Sequence, residues 1–387
     1  MSIDVRELRE RFCKLYGPGP VAVSFGPGRV NVIGEHTDYN GGLVLPFAID
    51  RGVAAAFRAV EGNVVRVHSA QYKEDDEFDA RRVERGERPW ARYVRGVVYC
   101  IQETGHKPKG AQLMIDSDLP VGAGLSSSAA IEMATFVAFA TMGGFDVPPN
   151  EAARICQKAE HTFAGVRCGI MDQTICRLGR EGHALLLDCE SLETVQVPLK
   201  ASGHVWVLLD TSVRHELGAS EYNRRREECE SAAKKLVPPG AKQTLRHADP
   251  GVFAAVAMRG ELTENEIRRV RHVLTEDMRV ARMCLALNAG DMAEAGELLN
   301  GSHRSLRDDY QVSCPELDVM AEICLTHEPC RGARMVGGGF GGAVLALVKE
   351  KSADAFTSDV LEEYRRRTGR TGTGLTLRAA AGARVLA

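Results

Sequence analysis

Three short stretches of this chain gather glycine together with groups able to do chemistry. The first, residues 28–42, begins with Gly28 and Arg29, runs through Val30, Asn31 and Val32, and delivers Glu35, His36 and Asp38 into a loop flanked by Gly34, Gly41 and Gly42. Carboxylates and an imidazole crowded at short range suit a polyhydroxylated ligand such as a sugar. On local chemistry alone the same string would also serve as a polar surface hairpin whose Glu35 and Asp38 solvate the turn. The second stretch, residues 119–130, reads Leu-Pro-Val-Gly-Ala-Gly-Leu-Ser-Ser-Ser-Ala-Ala. Here Gly122, Ala123, Gly124 and Leu125 lead into Ser126, Ser127 and Ser128 at the start of a helix. Free backbone N–H groups and the positive helix end would meet at one point, a site for phosphate, and the hydroxyls could add a metal ligand. A well-capped structural helix explains the serines equally simply. The third stretch, residues 335–343, holds Gly337, Gly338, Gly339, Gly341 and Gly342.

Two familiar phosphate motifs are excluded. No G-x-x-x-x-G-K-[ST] occurs anywhere, and the second stretch lacks the protein-kinase glycine spacing. Gly337, Gly339 and Gly342 do satisfy G-x-G-x-x-G, with Glu362 about 20 residues on, where a dinucleotide fold would hold its ribose. Residues 343–348, Ala-Val-Leu-Ala-Leu-Val, read as a strand rather than the required helix, so a tight glycine turn between strands is the better reading.

The elements that must position these groups follow from pattern. Alternation at 21–25 predicts a strand entering a turn at Gly26-Pro27-Gly28, with alternation resuming at Val30 and Val32. Further strands are expected at 43–49, 53–58, 64–68 and 111–115. Helices are expected at 127–142, ended by Gly143-Gly144, and at 151–163 and 221–235. Beyond Pro198 the pattern changes to long polar helices, 264–288 and 291–299, then strands at 335–336 and 343–348. A domain boundary is therefore placed near residue 195, dividing the chain into 1–195 and 196–387.

Composition narrows the class. The chain has 387 residues, 44% hydrophobic and 26% charged, a globular composition longer than one core usually supports. A formal net charge of -3 offers no basic field for nucleic acid or an anionic membrane. Eleven scattered cysteines, an odd number without C-x-x-C pairs or zinc spacing, fit reduced thiols in a cytoplasm. Residues 2–14 lack the charged start and apolar core of a secretory signal, and no apolar run reaches the length of a membrane span. The mixed-sign run at 224–228 reads as a solvated helix face, and Cys168 as a packing thiol.

Taken in order, the three stretches resemble the GHMP kinases, and within them the galactose-phosphorylating members. Residues 160–165 (Glu-His-Thr-Phe-Ala-Gly) and 168–173 (Cys-Gly-Ile-Met-Asp-Gln) extend the resemblance, which spans about residue 20 to residue 345. It implies an α+β chain of two domains, the first like domain 2 of ribosomal protein S5 and the second ferredoxin-like, with the active site in the cleft between them. It also implies roles. Asp172 would accept the proton of an anomeric hydroxyl, with Arg29 as its cationic partner. Glu35, His36, Asp38, Gly169 and Tyr222 would bind the sugar, Asp38 on its 3- and 4-hydroxyls, although a packing tyrosine is a competing reading of Tyr222. Residues Gly122, Ala123, Gly124, Leu125, Ser126, Ser127 and Ser128 would wrap the phosphates of ATP, with Ser127 and Glu160 holding magnesium. His161 is read as structural.

The activity so implied is transfer of the γ-phosphoryl group of ATP to the C1 hydroxyl of α-D-galactose, with ATP, Mg2+ and galactose as ligands and a cytoplasmic monomer expected. An N-acetylgalactosamine kinase or a broad-range sugar 1-kinase shares these motifs. So does a catalytically weak galactose- and ATP-binding signal transducer, in which the serine loop is typically disturbed; here it is uninterrupted.

Overall fold

The structure, a computed structural model, describes residues 3–120, 124–199, 203–214 and 218–386. The first half runs α1 (Val5–Tyr16), β1 (Ala22–Asn31), β2 (Leu43–Val44), β3 (Pro46–Ala59), β4 (Val64–Ser69), β5 (Glu74–Asp79), α2 (Ala91–Glu103), β6 (Ala111–Ser117), α3 (Ser127–Gly143), α4 (Pro149–Ala159), α5 (Met171–Leu178), β7 (His183–Asp188) and β8 (Thr194–Pro198). The second runs β9 (His204–Asp210), α6 (Gly218–Leu236), α7 (Pro250–Met258), α8 (Glu264–Ala289), α9 (Met292–Ser305), α10 (Pro315–Thr326), β10 (Cys330–Val336), β11 (Ala343–Lys349), α11 (Ala353–Thr368), β12 (Thr373–Leu377) and β13 (Arg384–Leu386).

Three sheets organise these elements into an α+β architecture. The largest has the order β13-β1-β3-β6-β4-β5 and is antiparallel except where β4 meets β6. A second has the order β10-β11-β9-β12, and β2, β7 and β8 make a small third. Residue 195 lies within β8, and the next described strand, β9, already belongs to the four-stranded sheet. The chain then crosses back: Val23 of β1 pairs with Leu386 of β13.

Helix α3 explains why the large sheet is shaped as it is. Ala, Met, Phe and Val cover nearly its whole surface, and it is buried between β1 and β3 on one side and α2, α4 and α5 on the other. A helix apolar all round belongs inside a core. It ends where expected, at Gly144 with φ 64°. Its approach to β1 is close enough to dictate sequence: a Cβ on Gly26 would lie 2.1 Å from the Ala130 carbonyl oxygen, and Ser24 Oγ donates to the Ala134 carbonyl at 2.7 Å.

This corrects the reading of Gly26-Pro27-Gly28 as a turn. Strand β1 runs straight through, with only a register irregularity between Pro27 and Arg29, and Gly26 is there to admit a helix backbone. The expected strands at 43–49 and 53–58 are likewise not separate. Apart from the short β2, they are one strand, β3, whose Gly52 stays in the ladder and donates its N–H to Asp118 Oδ1 at 2.7 Å. The helix expected over 151–163 ends at Ala159 and widens into a π turn, 160–164, closed by Gly165. The glycine stretch at 337–342 joins β10 to β11, so a strand does follow it and the dinucleotide motif is excluded. The run at 224–228 is not uniformly solvated: Arg225 is buried and donates to the carbonyls of Tyr310 and Gln311 at 2.9 and 2.8 Å.

Replacing Gly26 by Val should destabilise the protein by about 2 kcal/mol or more, because neither a strand nor a central helix can yield 1 Å of backbone cheaply. Differential scanning fluorimetry checks this as a clear fall in melting temperature.

Candidate active site

The centre of the site is an ion pair between two elements far apart in sequence. Arg29, at the end of β1, donates from Nε and Nη2 to the two carboxylate oxygens of Asp172, both at 2.7 Å. The parallel two-bond geometry matches the planar guanidinium to the carboxylate. Burial works to lower the arginine, and the Asp172 charge overrides it, leaving Arg29 raised. The third arm, Nη1, donates to the Gly124 carbonyl, and the Arg29 N–H donates to the Leu125 carbonyl at 3.1 Å. Ser126 Oγ donates to Asp172. Asp172 sits in the first turn of α5, where the positive helix end favours a carboxylate.

Beside this pair lies a cavity of about 280 Å³ lined by Arg29, Glu35, His36, Asp38, Glu160, Gly169, Asp172, Tyr222 and the 337–340 backbone. All five expected sugar positions therefore meet at one hollow. Burial, then repulsion from Asp172, pushes the Asp38 carboxyl up to about 7. Gly169 lies so close behind it that a Cβ there would fall 1.8 Å from Asp38 Oδ2. Burial pushes the His36 imidazole down to about 3, so it is neutral, and its Nδ1 meets the Tyr39 hydroxyl at 2.9 Å. The Tyr222 ring lies 5.3 Å from that of His36 and 5.4 Å from that of Tyr39. Glu35 faces the cavity but spends its carboxylate on the protein: it pairs with buried Arg334 at 2.8 Å and accepts from the Gly337 N–H at 2.9 Å. His161 bonds the Cys168 carbonyl at 2.9 Å, away from the lining.

Of the expected phosphate residues, Gly122 and Ala123 lie outside the described residues. Gly124, Leu125 and Ser126 reach the Arg29–Asp172 pair as above, and Ser126 opens α3 in a left-handed conformation, φ 55°. Gly337 stacks its backbone on this loop, its would-be Cβ 3.3 Å from Gly124 Cα. Ser127 is exposed at the helix start, while the half-buried Ser128 is the hydroxyl whose hydrogen bond steadies the Glu160 carboxylate. Burial and then Asp172 push Glu160 up to about 7. Gln173 Nε2 bridges Glu160 at 2.8 Å and the buried Glu132 at 3.1 Å, and Glu132 Oε1 has no hydrogen-bond partner. Crowded carboxylates beside a hydroxyl fit a divalent cation. Among the described residues no group of three His, Cys, Asp or Glu could hold a metal ion.

A second cavity, of about 410 Å³, opens on the far side of Ser127 and Ser128 and was not foreseen. Tyr72, Trp90, Tyr93, Ile115, Leu119 and Ile131 line it, a slot able to take a flat aromatic group. Trp90 is held by its Nε1–H donating to Glu74 at 2.8 Å. The lining comes from several separate segments, and the sequence signal was only Trp90 and Tyr93 at helical spacing. The slot is lined in part by Ser127 and Ser128, and the hollow by Arg29 and Asp172, the pair that Ser126 of the same loop touches.

Three family models match the chain: the galactokinase galactose-binding signature over residues 10–59, the GHMP kinases N terminal domain over 92–180 and the GHMP kinases C terminal over 284–366. A galactokinase of Roseiflexus sp. (strain RS-1) is 44% identical over 98% of this chain and 97% of its own. One from Thermotoga maritima is 43% identical over 89% and 94%. The crystal structure of Lactococcus lactis galactokinase complexed with galactose superposes with a TM-score of 0.94 at 34% identity, covering 99% of this chain and 100% of that one. The mevalonate kinase of Methanococcus jannaschii, at 16% identity and a TM-score of 0.66 over 94% and 99%, shares the fold.

Because Asp172 raises both neighbours, the Asp172→Asn variant should lower the carboxyl pKa of Asp38 and of Glu160 from about 7. Removing a nearby negative charge makes each ionisation easier. A pH titration of the carboxyl carbons by NMR, on the ligand-free protein, reads both shifts.

Proposed function

We propose, from the premise that this chain belongs to the GHMP kinase family and to its galactokinase branch, that it transfers the γ-phosphoryl group of ATP to the C1 hydroxyl of α-D-galactose, giving galactose 1-phosphate and ADP. The observation that carries the reading is the two-bond Arg29–Asp172 pair, with one face on the polar hollow and the other on the serine loop.

The roles follow from position. Galactose occupies the hollow, its 3- and 4-hydroxyls on Asp38, with His36, Glu35 and Tyr222 around it and the Gly169 backbone beneath. Its C1 hydroxyl faces Asp172, which orients it and takes its proton as oxygen attacks phosphorus. Arg29 holds Asp172 in place through its two bonds and offsets charge on the phosphoryl group in flight. The adenine fills the aromatic slot at Trp90 and Tyr93, and the phosphates lie along Gly122 to Ser128 against the positive end of α3. Glu160, with the hydroxyl of Ser127 or Ser128, would hold a magnesium ion, which would supply further charge neutralisation. For a loose transition state, positioning and neutralisation are most of what catalysis requires. Residues 1–195 carry the sugar signature and phosphate loop, and residues 196–387 close the cleft. Every cysteine is unpaired, which supports the assignment to a cytoplasm, and a monomer presents the complete cleft.

Asp172→Asn should abolish nearly all turnover while ATP and galactose still bind, since the amide keeps shape and cannot take the proton. Isothermal titration alongside an ADP-release assay separates the two effects, and wild-type kinetics would exclude the role. Arg29→Lys should lower kcat more than it raises KM, because an ammonium cannot reproduce the fork. A sugar panel with ATP and magnesium, including N-acetylgalactosamine, tests the substrate; phosphate must appear on C1 of galactose.

A further inference from the structure

The loop over residues 34–43, which carries Glu35, His36 and Asp38, has little regular structure of its own. Gly34, His36 and Gly41 sit at φ 102°, 64° and 72°, and its internal bonds are local: the N–H groups of Asn40 and Gly42 donate to the Thr37 carbonyl at 3.0 and 2.9 Å and that of Gly41 to the Asp38 carbonyl at 3.3 Å, Thr37 Oγ1 donates to the carbonyls of Gly34 and Leu43 at 2.8 and 2.7 Å, and Asn40 Nδ2 donates to the His36 carbonyl at 2.8 Å. Apart from the Cys189 N–H, which donates to the Gly42 carbonyl at 3.0 Å, and the pairing of Leu43 with Asp188, the anchors of its backbone come from the second half of the chain. Glu276 on α8 accepts from the Gly34 N–H at 3.1 Å, and His272 Nε2, one turn earlier, meets the Glu35 carbonyl at 3.0 Å. Asp277 accepts from the Leu43 N–H at 2.8 Å, and Arg246 donates to the Gly41 carbonyl at 3.0 Å. The approach is tight enough that a Cβ on Gly42 would sit 2.5 Å from Asp277 Oδ1.

These anchors are themselves fixed. Arg279 and Ser302 hold Glu276 at 2.6 and 2.5 Å, and Asp188 holds Arg246 at 2.7 Å. None of Glu276, Asp277, His272 or Arg246 lines the hollow. Each acts on backbone groups at the two ends of a loop whose side chains do.

We propose that Asp277 and Glu276 of α8, with Arg246, are positioning residues for the sugar: they fix the backbone of the 34–43 loop and thereby the aim of Glu35, His36 and Asp38. Galactose as the occupant rests on the function given above; the anchoring does not. A buried N–H stripped of its acceptor is costly, so the loop relaxes when an anchor is removed. The effect falls on the sugar, because the phosphate loop and the aromatic slot make none of these contacts.

The test is selective. Asp277→Ala should raise the KM for galactose about tenfold or more, the size of one lost bond to a charged acceptor. The KM for ATP should stay within about twofold, since the nucleotide side is untouched. Asp277→Asn keeps an oxygen for the Leu43 N–H and should restore the galactose KM to within about threefold of wild type. Arg246→Ala, at a half-buried position, is the second probe and should show the same selectivity. Hydrogen exchange on the ligand-free proteins should show faster exchange over 34–43 in the alanine variants and wild-type exchange in Asp277→Asn. A galactose KM unchanged by the alanines, an equal rise for ATP, or an asparagine as damaging as alanine overturns the proposal. Should the wild-type protein not phosphorylate galactose, the function fails, and the exchange rates alone decide the anchoring: unchanged rates overturn it, faster rates sustain it.

Discussion

Everything around the polar hollow depends on one pair of charges, a buried guanidinium and a half-buried carboxylate. Arg29 is 6% exposed, and its guanidinium has three arms engaged: two on Asp172 and one on the Gly124 carbonyl. A strand, a helix start and the loop before α3 are thereby tied at one point. Removing one member of such a pair strands the other in a poor solvent, at a cost of about 3–5 kcal/mol. The pair also sets its surroundings, because Asp172 is among the causes that lift both Asp38 and Glu160. Burial first, and repulsion from Asp172 after it, leave two neighbouring carboxyls holding protons near neutral pH.

That arrangement has a thermodynamic sign. A carboxyl whose pKa is about 7 when folded and about 4 when unfolded binds more protons in the native state between those limits. Native stability from these two groups is therefore present in acid and lost as the pH rises through that window. The site thus stores unfavourable charge as the pH rises, which is the common exchange of stability for function.

The legible part of the sequence was the set of groups that must be near each other for local reasons. The strings around Glu35, Ser127 and Gly339 each lie on a few consecutive residues, and their order along the chain carried the family. Composition located α3, α6, α8 and β11. What stayed illegible needed partners from elsewhere. Gly26 looked like a turn because the Ala130 backbone that requires it is distant in sequence. Arg225 looked solvated because the carbonyls it satisfies belong to 310 and 311. The aromatic slot is assembled from separate segments, and Glu276 and Asp277 sit in a helix that reads as merely polar. Choosing between Ser127 and Ser128 for the Glu160 side required a helix rotation that residue types do not encode.

The pairing of Val23 with Leu386 has a bearing on biosynthesis. Domains tend to fold as the chain emerges from the ribosome, yet β1 lacks one of its two neighbours until the last strand is made. Until residues 384–386 are made, the strand that carries Arg29 has an open edge, the kind of edge that invites pairing with other nascent chains. Closure of that edge by residues 384–386 ties the strand that carries Arg29 to a segment beyond the four-stranded sheet, so the sheet beneath the ion pair is complete only after both halves of the chain are made.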